Sequence, residues 1–487
     1  MSQLNRRNFC GGLGAITLML GKRGFAKSLE GRKLPNVVYI LADDMGWGDI
    51  DVFNPHSAVP TPVMNGFAQQ AMRFTDMHAS SAVCTPSRYS ILTGRYCWRS
   101  QLKKGVLGGY APNLIEEGRM TVPSMLKKEG YYTAGVGKWH LGLGNEQRTD
   151  YTKPLVPGPV SHGFDYFYGI PASLDMAPYL YFENDHVVEQ ATINDPGSAS
   201  PRGVTWRAGL RAPDFDISQV LPTLTDKAVD LIRQRAANPQ KPFFLYFAMP
   251  SPHTPWVPLP QYRGKSGAGD YGDYVAEVDA MVGRVLDAIK KGGLEQDTIV
   301  VVTSDNGANW GPQDIERYPH RSNAAWRGEK ADVWEAGHRI PFMVRWPGHI
   351  AANSVSDETA SLTDLMATMA ALLEISLPPD AGEDSFNDLP IWLGEKHKPV
   401  RETIIDHSNG GTFTIREGDW KLELGLGSGG FSLPINVEPV PGGVQGQLYN
   451  LKDDPYEVYN LWAIRPDIVD HLTKLLNQYK ASGHTRY

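Results

Sequence analysis

The stretch NVVYILADD, residues 36–44, runs from Asn36 through Val37, Val38, Tyr39, Ile40, Leu41 and Ala42 to two adjacent acids, Asp43 and Asp44. A short run that is apolar on both faces and rich in β-branched residues reads as a strand buried in the middle of a parallel sheet. Three more runs have the same texture, and each also ends in polar residues. Tyr132–Val136 leads into Gly137, Lys138, Trp139 and His140. Pro242–Ala248 leads into Ser251, Pro252 and His253, and Thr298–Thr303 into Ser304, Asp305, Asn306 and Gly307.

Helical spacing fills the intervals. Leu224, Ala228, Leu231 and Ile232 mark one face of residues 221–237, and Val278, Met281, Val282, Val285 and Ile289 mark one face of residues 274–290. Strands alternating with helices predict an α/β domain: a large mixed, mostly parallel sheet flanked by helices. In such sheets ligands bind beyond the carboxyl ends of the strands. All four runs place their polar residues at that edge.

After Leu389 the pattern changes. Short strand-like pieces, Thr403–Asp406, Gly411–Ile415, Trp420–Leu424 and Gly446–Leu451, are separated by turn residues, and residues 464–482 read as a closing helix. The expected division is 27–394 for the α/β catalytic domain and 395–487 for a smaller α+β domain with an antiparallel sheet. Residues 1–26 carry Arg6, Arg7 and Phe9 ahead of a mild apolar run from Gly11 to Leu20, with no acid before Glu30. That order reads as a twin-arginine export signal, so the expected location is periplasmic or secreted from a bacterium, by way of the export machinery.

The net charge is −7, and residues 1–26 contribute only positive charge, so the remainder is more acidic still. This balance argues against a nucleic-acid partner. No later stretch is long and apolar enough for stable membrane insertion. If the substrate is an anion, positive charge must be concentrated locally.

Of three cysteines, Cys10 lies in the leader and Cys84 and Cys97 remain. Cys84 stands just before Thr85, Pro86, Ser87 and Arg88. With Thr85 as N-cap, Pro86 in the first helical position and Gly94 as the stop, Cys84 is expected one step before a short helix. There, backbone N–H groups favour negative charge, and Arg88 points back from the first turn. The residues alone leave open a buried structural thiol or a thiolate nucleophile. Asp43, Asp44, Asp305 and Asn306 form an oxygen-only donor set at two strand ends, which suits a hard cation such as Ca²⁺ or Mg²⁺ and not zinc.

The run from Cys84 to Arg88, followed by Leu92, Thr93, Gly94 and Arg95, resembles the sulfatase signature. Matching pieces continue in matching order along nearly the whole mature chain. The resemblance implies an alkaline-phosphatase-superfamily fold and conversion of Cys84 to Cα-formylglycine by a formylglycine-generating enzyme. It also implies a divalent cation, usually calcium with magnesium the alternative, held by Asp43, Asp44, residue 84, Asp305 and Asn306. Arg88, Lys138, His140, His253 and Lys330 coincide with the family's catalytic positions. Where the family often has Glu-Gly-Gly, this chain has Glu335, Ala336 and Gly337.

The implied reaction is hydrolysis of a sulfate ester on a sulfated saccharide or aryl group. A hydrated formylglycine attacks sulfur, a sulfo-enzyme intermediate forms, and collapse to the aldehyde expels sulfate. Lys138 and Lys330 hold sulfonyl oxygens, His253 protonates the leaving oxygen and His140 takes a proton from the second hydroxyl. Tyr96–Ser100, Gly425–Phe431 and Gly446–Leu451 resemble the branch with arylsulfatase A and the N-acetylgalactosamine-6-sulfatases, which points to a galactose-type 6-sulfate. Asp175, Trp310, Trp326 and Arg327 are candidates for a sugar subsite. Two other readings compete: a phosphomonoester or phosphodiester hydrolase of the same superfamily, and an inactive carbohydrate-binding relative.

Overall fold

The computed structural model describes residues 34–486. The export-signal expectation, residues 1–26, lies outside them. Asn36–Asp43 is a strand with every residue buried. It pairs in parallel with Phe243–Pro252 on one side, Val37 facing Phe244, and with Thr298–Ser304 on the other, Val37 facing Ile299. Tyr132–Lys138 pairs in parallel with Phe243–Pro252, and Tyr166–Ile170 continues the parallel run. Antiparallel pairs flank this parallel centre on both sides, Phe342–Arg345 next to Thr298–Ser304 and Phe182–Glu183 next to Tyr166–Ile170, and Ser354–Ser356 ends one edge in parallel with Met72–Phe74, giving ten strands in all. The sheet is mixed and mostly parallel, as the apolar runs imply.

Helices Val220–Ala236 and Gly269–Lys291 pack on each other and on Phe243–Pro252. Their apolar stripes, Leu224, Ala228, Leu231 and Ile232 in one and Val278, Met281, Val282, Val285 and Ile289 in the other, are buried as the periodicity predicts.

A second sheet of four antiparallel strands follows: Thr403–His407, Phe413–Glu417, Trp420–Glu423 and Gln447–Asn450. Helix Pro466–Ser482 lays Val469, Leu472, Leu476 and Tyr479 onto Ile405, Ile415, Leu422 and Leu448. Tyr96 and Trp98, which follow the Cys84 segment in sequence, join this core. The second sheet also touches the loops at the catalytic edge. The His407 carbonyl accepts from Ala82 N at 3.1 Å, and the Asn409 carbonyl accepts from Gly105 N at 2.9 Å.

One local expectation is corrected. The short helix is Cys84–Thr93 with Val83 as N-cap, so Cys84 is its first residue and not the one before it. Pro86 is the third residue. The first four N–H groups of a helix have no intrahelical partner, so a proline fits either register. Thr85 does not cap the helix: its Oγ1 donates to the His140 carbonyl at 3.1 Å and accepts from Leu107 N at 3.2 Å. Gly94 ends the helix in the left-handed conformation, φ 64°, as expected of it.

Candidate active site

The polar residues that follow the four parallel strands meet at the carboxyl edge of the sheet. Lys138 Nζ lies 2.6 Å from Asp43 Oδ2. Arg88 Nε donates to Asp305 Oδ2 at 3.0 Å, and its Nη2 lies 3.6 Å from Asp43 Oδ1. Lys330 Nζ donates to Asp44 Oδ2 at 2.7 Å, and His253 Nε2 is 3.7 Å from the same oxygen. Asn306 Nδ2 donates to Asp44 Oδ1 at 2.7 Å, and Asp44 N donates to Asp305 Oδ1 at 3.2 Å. Every residue expected to hold the metal or act in catalysis is therefore in this cluster or bonded into its walls, and all of these are buried.

Backbone geometry brings them there. Gly137 has φ 125°, and a Cβ on it would sit 1.9 Å from the Ala248 carbonyl oxygen, so only glycine lets the strand pass its neighbour just before Lys138. Asp44, His140 and Ala331 have φ values of 66°, 57° and 76°. Left-handed backbone at three non-glycine residues of one site is strain that surrounding contacts must hold. For Ala331 those contacts are visible: its N–H donates to the Ala82 carbonyl at 2.8 Å, and the neighbouring Lys330 N–H donates to the Ala308 carbonyl at 2.9 Å.

His140 Nε2 lies 2.7 Å from the Leu107 carbonyl, so that nitrogen carries the proton. Its Nδ1 is buried without a hydrogen-bond partner and is left as a free acceptor. Burial first, then Lys138 and Arg88, hold its pKa well below the ordinary histidine value. His253 Nδ1 faces the Thr254 carbonyl at 2.7 Å, which leaves Nε2 toward the acids.

Burial alone would raise the Asp43 carboxyl, but Lys138, His253, Arg88 and Lys330 hold it well below the usual range. Asp305 goes the other way, up to about 7, through burial and the Asp43 charge. Burial also raises the Cys84 thiol, against the pull of Lys138 and Lys330. A thiol raised in this way is a poor thiolate nucleophile, which weakens that reading of Cys84. Cys84 and Cys97 are both free.

The donor set fits a hard cation. Ligand atoms of Asp43, Cys84 and Asp305 all lie within 4.8 Å of one another, and so do those of Asp43, Asp44 and His253. Asp43 Oδ1 and Asn306 Oδ1 are buried oxygens with no hydrogen-bond partner. Buried polar atoms are almost always paired, so two orphaned oxygens in one cluster of acids point to an electropositive group between them.

Sequence reasoning missed three supporting parts: Thr85 with Leu107 behind His140, Ser304, whose Oγ accepts from Met45 N at 2.9 Å, and Asp332 behind Lys330. They act through backbone groups far away in the chain, and no local motif signals that. Of the suggested sugar contacts, Trp310 is core, packed 4.9 Å from the Tyr271 ring. Arg327 is turned to Tyr449 Oη and lies over the Trp334 ring.

A family model described as Sulfatase matches residues 35–375. The chain belongs to the sulfatase family. It is 34% identical over 483 residues to an N-acetylgalactosamine-6-O-sulfatase of Bacteroides thetaiotaomicron, covering 92% of this chain and 93% of that one. It is 32% identical over 464 residues to arylsulfatase A of Homo sapiens, covering 90% and 85%. A solved structure described under metabolism of multiple glycosaminoglycans by Bacteroides thetaiotaomicron superposes with a TM-score of 0.82 at 33% identity, over 92% of this chain and all of that one. A Pseudoalteromonas sulfatase superposes at 0.75 with 27% identity, over 94% and 92%. This sulfatase is an enzyme that hydrolyses sulfate esters. Among the described residues no helix is long and apolar enough to cross a membrane.

Proposed function

We propose that this sulfatase removes a 6-sulfate from a galactose-type sugar, N-acetylgalactosamine first among them, in a sulfated saccharide. The relatives that carry this specificity in their names, together with the arrangement of cationic side chains around Cys84, support the reading. Cys84 is the residue we assign to formylglycine. Asp43, Asp44, Asp305, Asn306 and the oxygen at residue 84 are the ligands we assign to calcium. A cation held by these residues would supply positive charge for a sulfonyl oxygen and lower the cost of ionising a nearby hydroxyl. A hydrated formylglycine at residue 84 would supply both the attacking oxygen and a second hydroxyl for release of sulfate.

The remaining work falls to this chain's own side chains. Arg88 holds Asp305 in place and keeps positive charge behind residue 84. Lys138 and Lys330 direct ammonium groups to the sulfonyl oxygens, where charge redistributes as the ester bond breaks. His253, with Nδ1 fixed on Thr254, holds a proton at Nε2 for the leaving oxygen. His140, with Nε2 fixed on Leu107, takes a proton at Nδ1. Burial of all these groups excludes bulk water and strengthens each interaction.

We further assign residues 1–26 to twin-arginine export, and the division 27–394 and 395–487 to the two structural units. Free sulfate released from a panel of defined monosulfated sugars tests the substrate. The reading predicts turnover of galactose-type 6-sulfates, and turnover only of other positions or only of aryl sulfates would defeat it. Peptide mass spectrometry on residue 84 tests the conversion, which an intact thiol throughout active enzyme would defeat.

A further inference from the structure

A second cluster of buried ligating side chains lies where the catalytic edge meets the second sheet. It draws on three distant parts of the chain: His78 from Met77–His78, His338 from the short helix Glu335–His338, and Asp406 from strand Thr403–His407. His78 Nδ1 lies 2.9 Å from His338 Nδ1, and Asp406 Oδ2 lies 3.6 Å from that same His338 nitrogen. One ligand atom from each residue falls within 4.8 Å of the other two, and none of the three residues is more than 2% exposed.

The far nitrogens of both rings have partners. His78 Nε2 donates to Asp76 Oδ1 at 2.9 Å, and His338 Nε2 faces the Val333 carbonyl at 3.3 Å. Lys421 Nζ also lies 3.2 Å from His338 Nε2, but its three protons have three carboxylates: Glu457 at 2.6 Å, Glu335 at 3.1 Å and Glu423 at 3.6 Å. Burial first of all holds the pKa of His78 below the ordinary histidine value and that of His338 well below it, so both rings are neutral. With Nε2 protonated in each, the two Nδ1 lone pairs point at each other across 2.9 Å. Asp406 adds a third acceptor: its Oδ1 is buried without a hydrogen-bond partner. Three electron-pair donors aimed at one point call for an electropositive group among them.

Charge points the same way. Five carboxylates, those of Asp76, Glu335, Asp406, Glu423 and Glu457, surround the histidines, and three cations pair with them, Arg339, Arg416 and Lys421. Arg327 donates to Tyr449 Oη and the Glu457 carbonyl instead. Three positive against five negative groups leaves a deficit equal to one divalent cation. A pure hydrogen-bond chain, Lys421 to His338 to His78 to Asp76, would satisfy the rings, but it leaves that deficit and the Asp406 oxygen as they are.

We infer that His78, His338 and Asp406 bind a transition-metal dication, zinc first, at a structural site separate from the cation site assigned above. Two imidazoles and a carboxylate form a zinc-type donor set, unlike the oxygen-only set of the active site. Metal–nitrogen bonds of about 2.0–2.1 Å set two nitrogens about 3.3 Å apart in a tetrahedron, so the rings part by a few tenths of an ångström on binding. Thr414, directly across from Asp406 on the neighbouring strand, has a buried hydroxyl without a partner and is the candidate fourth ligand. Asp76 and the Val333 carbonyl hold the outer ring nitrogens, as partners of metal-bound histidines do. Such an ion staples the second sheet to the catalytic edge: the Gly337 carbonyl, beside His338, accepts from Gly307 N at 3.0 Å, next to Asn306.

The test reads metal and not turnover. Elemental analysis of the purified full-length enzyme is expected to give about one zinc, or another transition metal, per chain in addition to calcium. Asp305→Ala, which removes a ligand assigned to calcium, is expected to keep it. His78→Gln with His338→Gln is expected to bring it below about a tenth of the wild-type content. Enzyme produced in zinc-poor medium with Co²⁺ reads the site with no substitution. Four-coordinate cobalt with nitrogen ligands gives strong visible bands, whereas six-coordinate cobalt among oxygens gives weak ones. If the double variant does not fold, Asp305→Ala and the cobalt spectrum decide by themselves.

Wild-type enzyme that holds no transition metal and shows no strong cobalt bands overturns the inference, and the rings then share a proton. Metal that leaves with Asp305→Ala overturns it too, because the ion then sits in the active site. So does metal that stays in a folded double Gln variant. The substrate reading stands in every case.

Discussion

Arg88 Nε donates to Asp305 Oδ2 at 3.0 Å, and Nη2 of the same guanidinium lies 2.8 Å from that oxygen, with both side chains at zero exposure. Nη1 reaches the Lys138 carbonyl at 3.1 Å, so one side chain ties the Cys84–Thr93 helix to two strand ends. Breaking a buried pair by removing one partner leaves the other charge stranded, at a cost of about 3–5 kcal/mol. Arg88→Ala is therefore expected to lose activity and to lower unfolding stability by about that amount. A denaturation midpoint within experimental error of wild type would contradict it.

Cys84 and Asp305 separate two roles in one cluster. Cys84→Ala removes the side chain we assign to formylglycine but leaves in place the four carboxylate and amide side chains we assign to the cation. It is expected to abolish turnover while the purified enzyme still carries calcium. Asp305→Ala removes a proposed ligand grouped with Asp43 and Cys84, and calcium and turnover are expected to disappear together. Elemental analysis of both variants decides the matter. Metal-free Cys84→Ala, or active Asp305→Ala, would place the cation elsewhere.

Asp332 supports Lys330 from behind. Its carboxylate accepts from Phe431 N at 2.7 Å, Ser432 N at 3.0 Å and Glu329 N at 3.0 Å, and from the Ser432 hydroxyl. These bonds pin the glycine-rich loop against the strained Ala331 turn; a Cβ on Gly430 would lie 2.2 Å from the Ala331 carbonyl oxygen. Asp332→Ala leaves several buried N–H groups unpaired at about 1–3 kcal/mol each, so the turn should relax. The expected result is a fall in kcat of about tenfold or more, with KM nearly unchanged, because Lys330 then contributes less to the transition state than to binding. A change confined to KM would assign Asp332 to substrate contact instead.

What the sequence made legible follows from its periodicities. The strands around Asn36–Asp43 are buried on both faces and read directly as apolar runs, and their polar ends marked the catalytic edge. The Cys84–Thr93 helix is different: all ten residues are buried, so it has no amphipathic stripe and only capping logic and the motif located it, one residue off. Trp310 could not be sorted between core and subsite, because an indole suits either; only the surrounding rings of Tyr271, Trp256 and Tyr318 decide. Leu107 and Asp332 were invisible for another reason. Their contacts run to or from backbone groups, and any residue type offers those.

Two histidines outside the site give the fold a pH dependence whose sign follows from burial. His162 and His407 are each pushed down to about 4, mainly by burial. His162 Nε2 lies 2.8 Å from Asn113 Oδ1, and His407 Nδ1 lies 2.9 Å from the Ser408 carbonyl while its Nε2 has no hydrogen-bond partner. An unfolded histidine titrates near 6.5, so between about 4 and 6.5 the unfolded chain binds more protons than the folded one. Stability from these neutral rings is fully present above that window and is lost as pH falls through it, by at most about 1.4 kcal/mol per pH unit for each. Glu277 and Glu329, raised to about 7 chiefly by burial, slope the opposite way, so the raw curve mixes signs. The difference between wild type and His407→Gln removes that mixture. The variant is expected to lose less stability than wild type between pH 6.5 and pH 4.5, by about 2–3 kcal/mol. Urea unfolding at both pH values measures it, and parallel losses in the two proteins would mean that His407 is protonated in the fold.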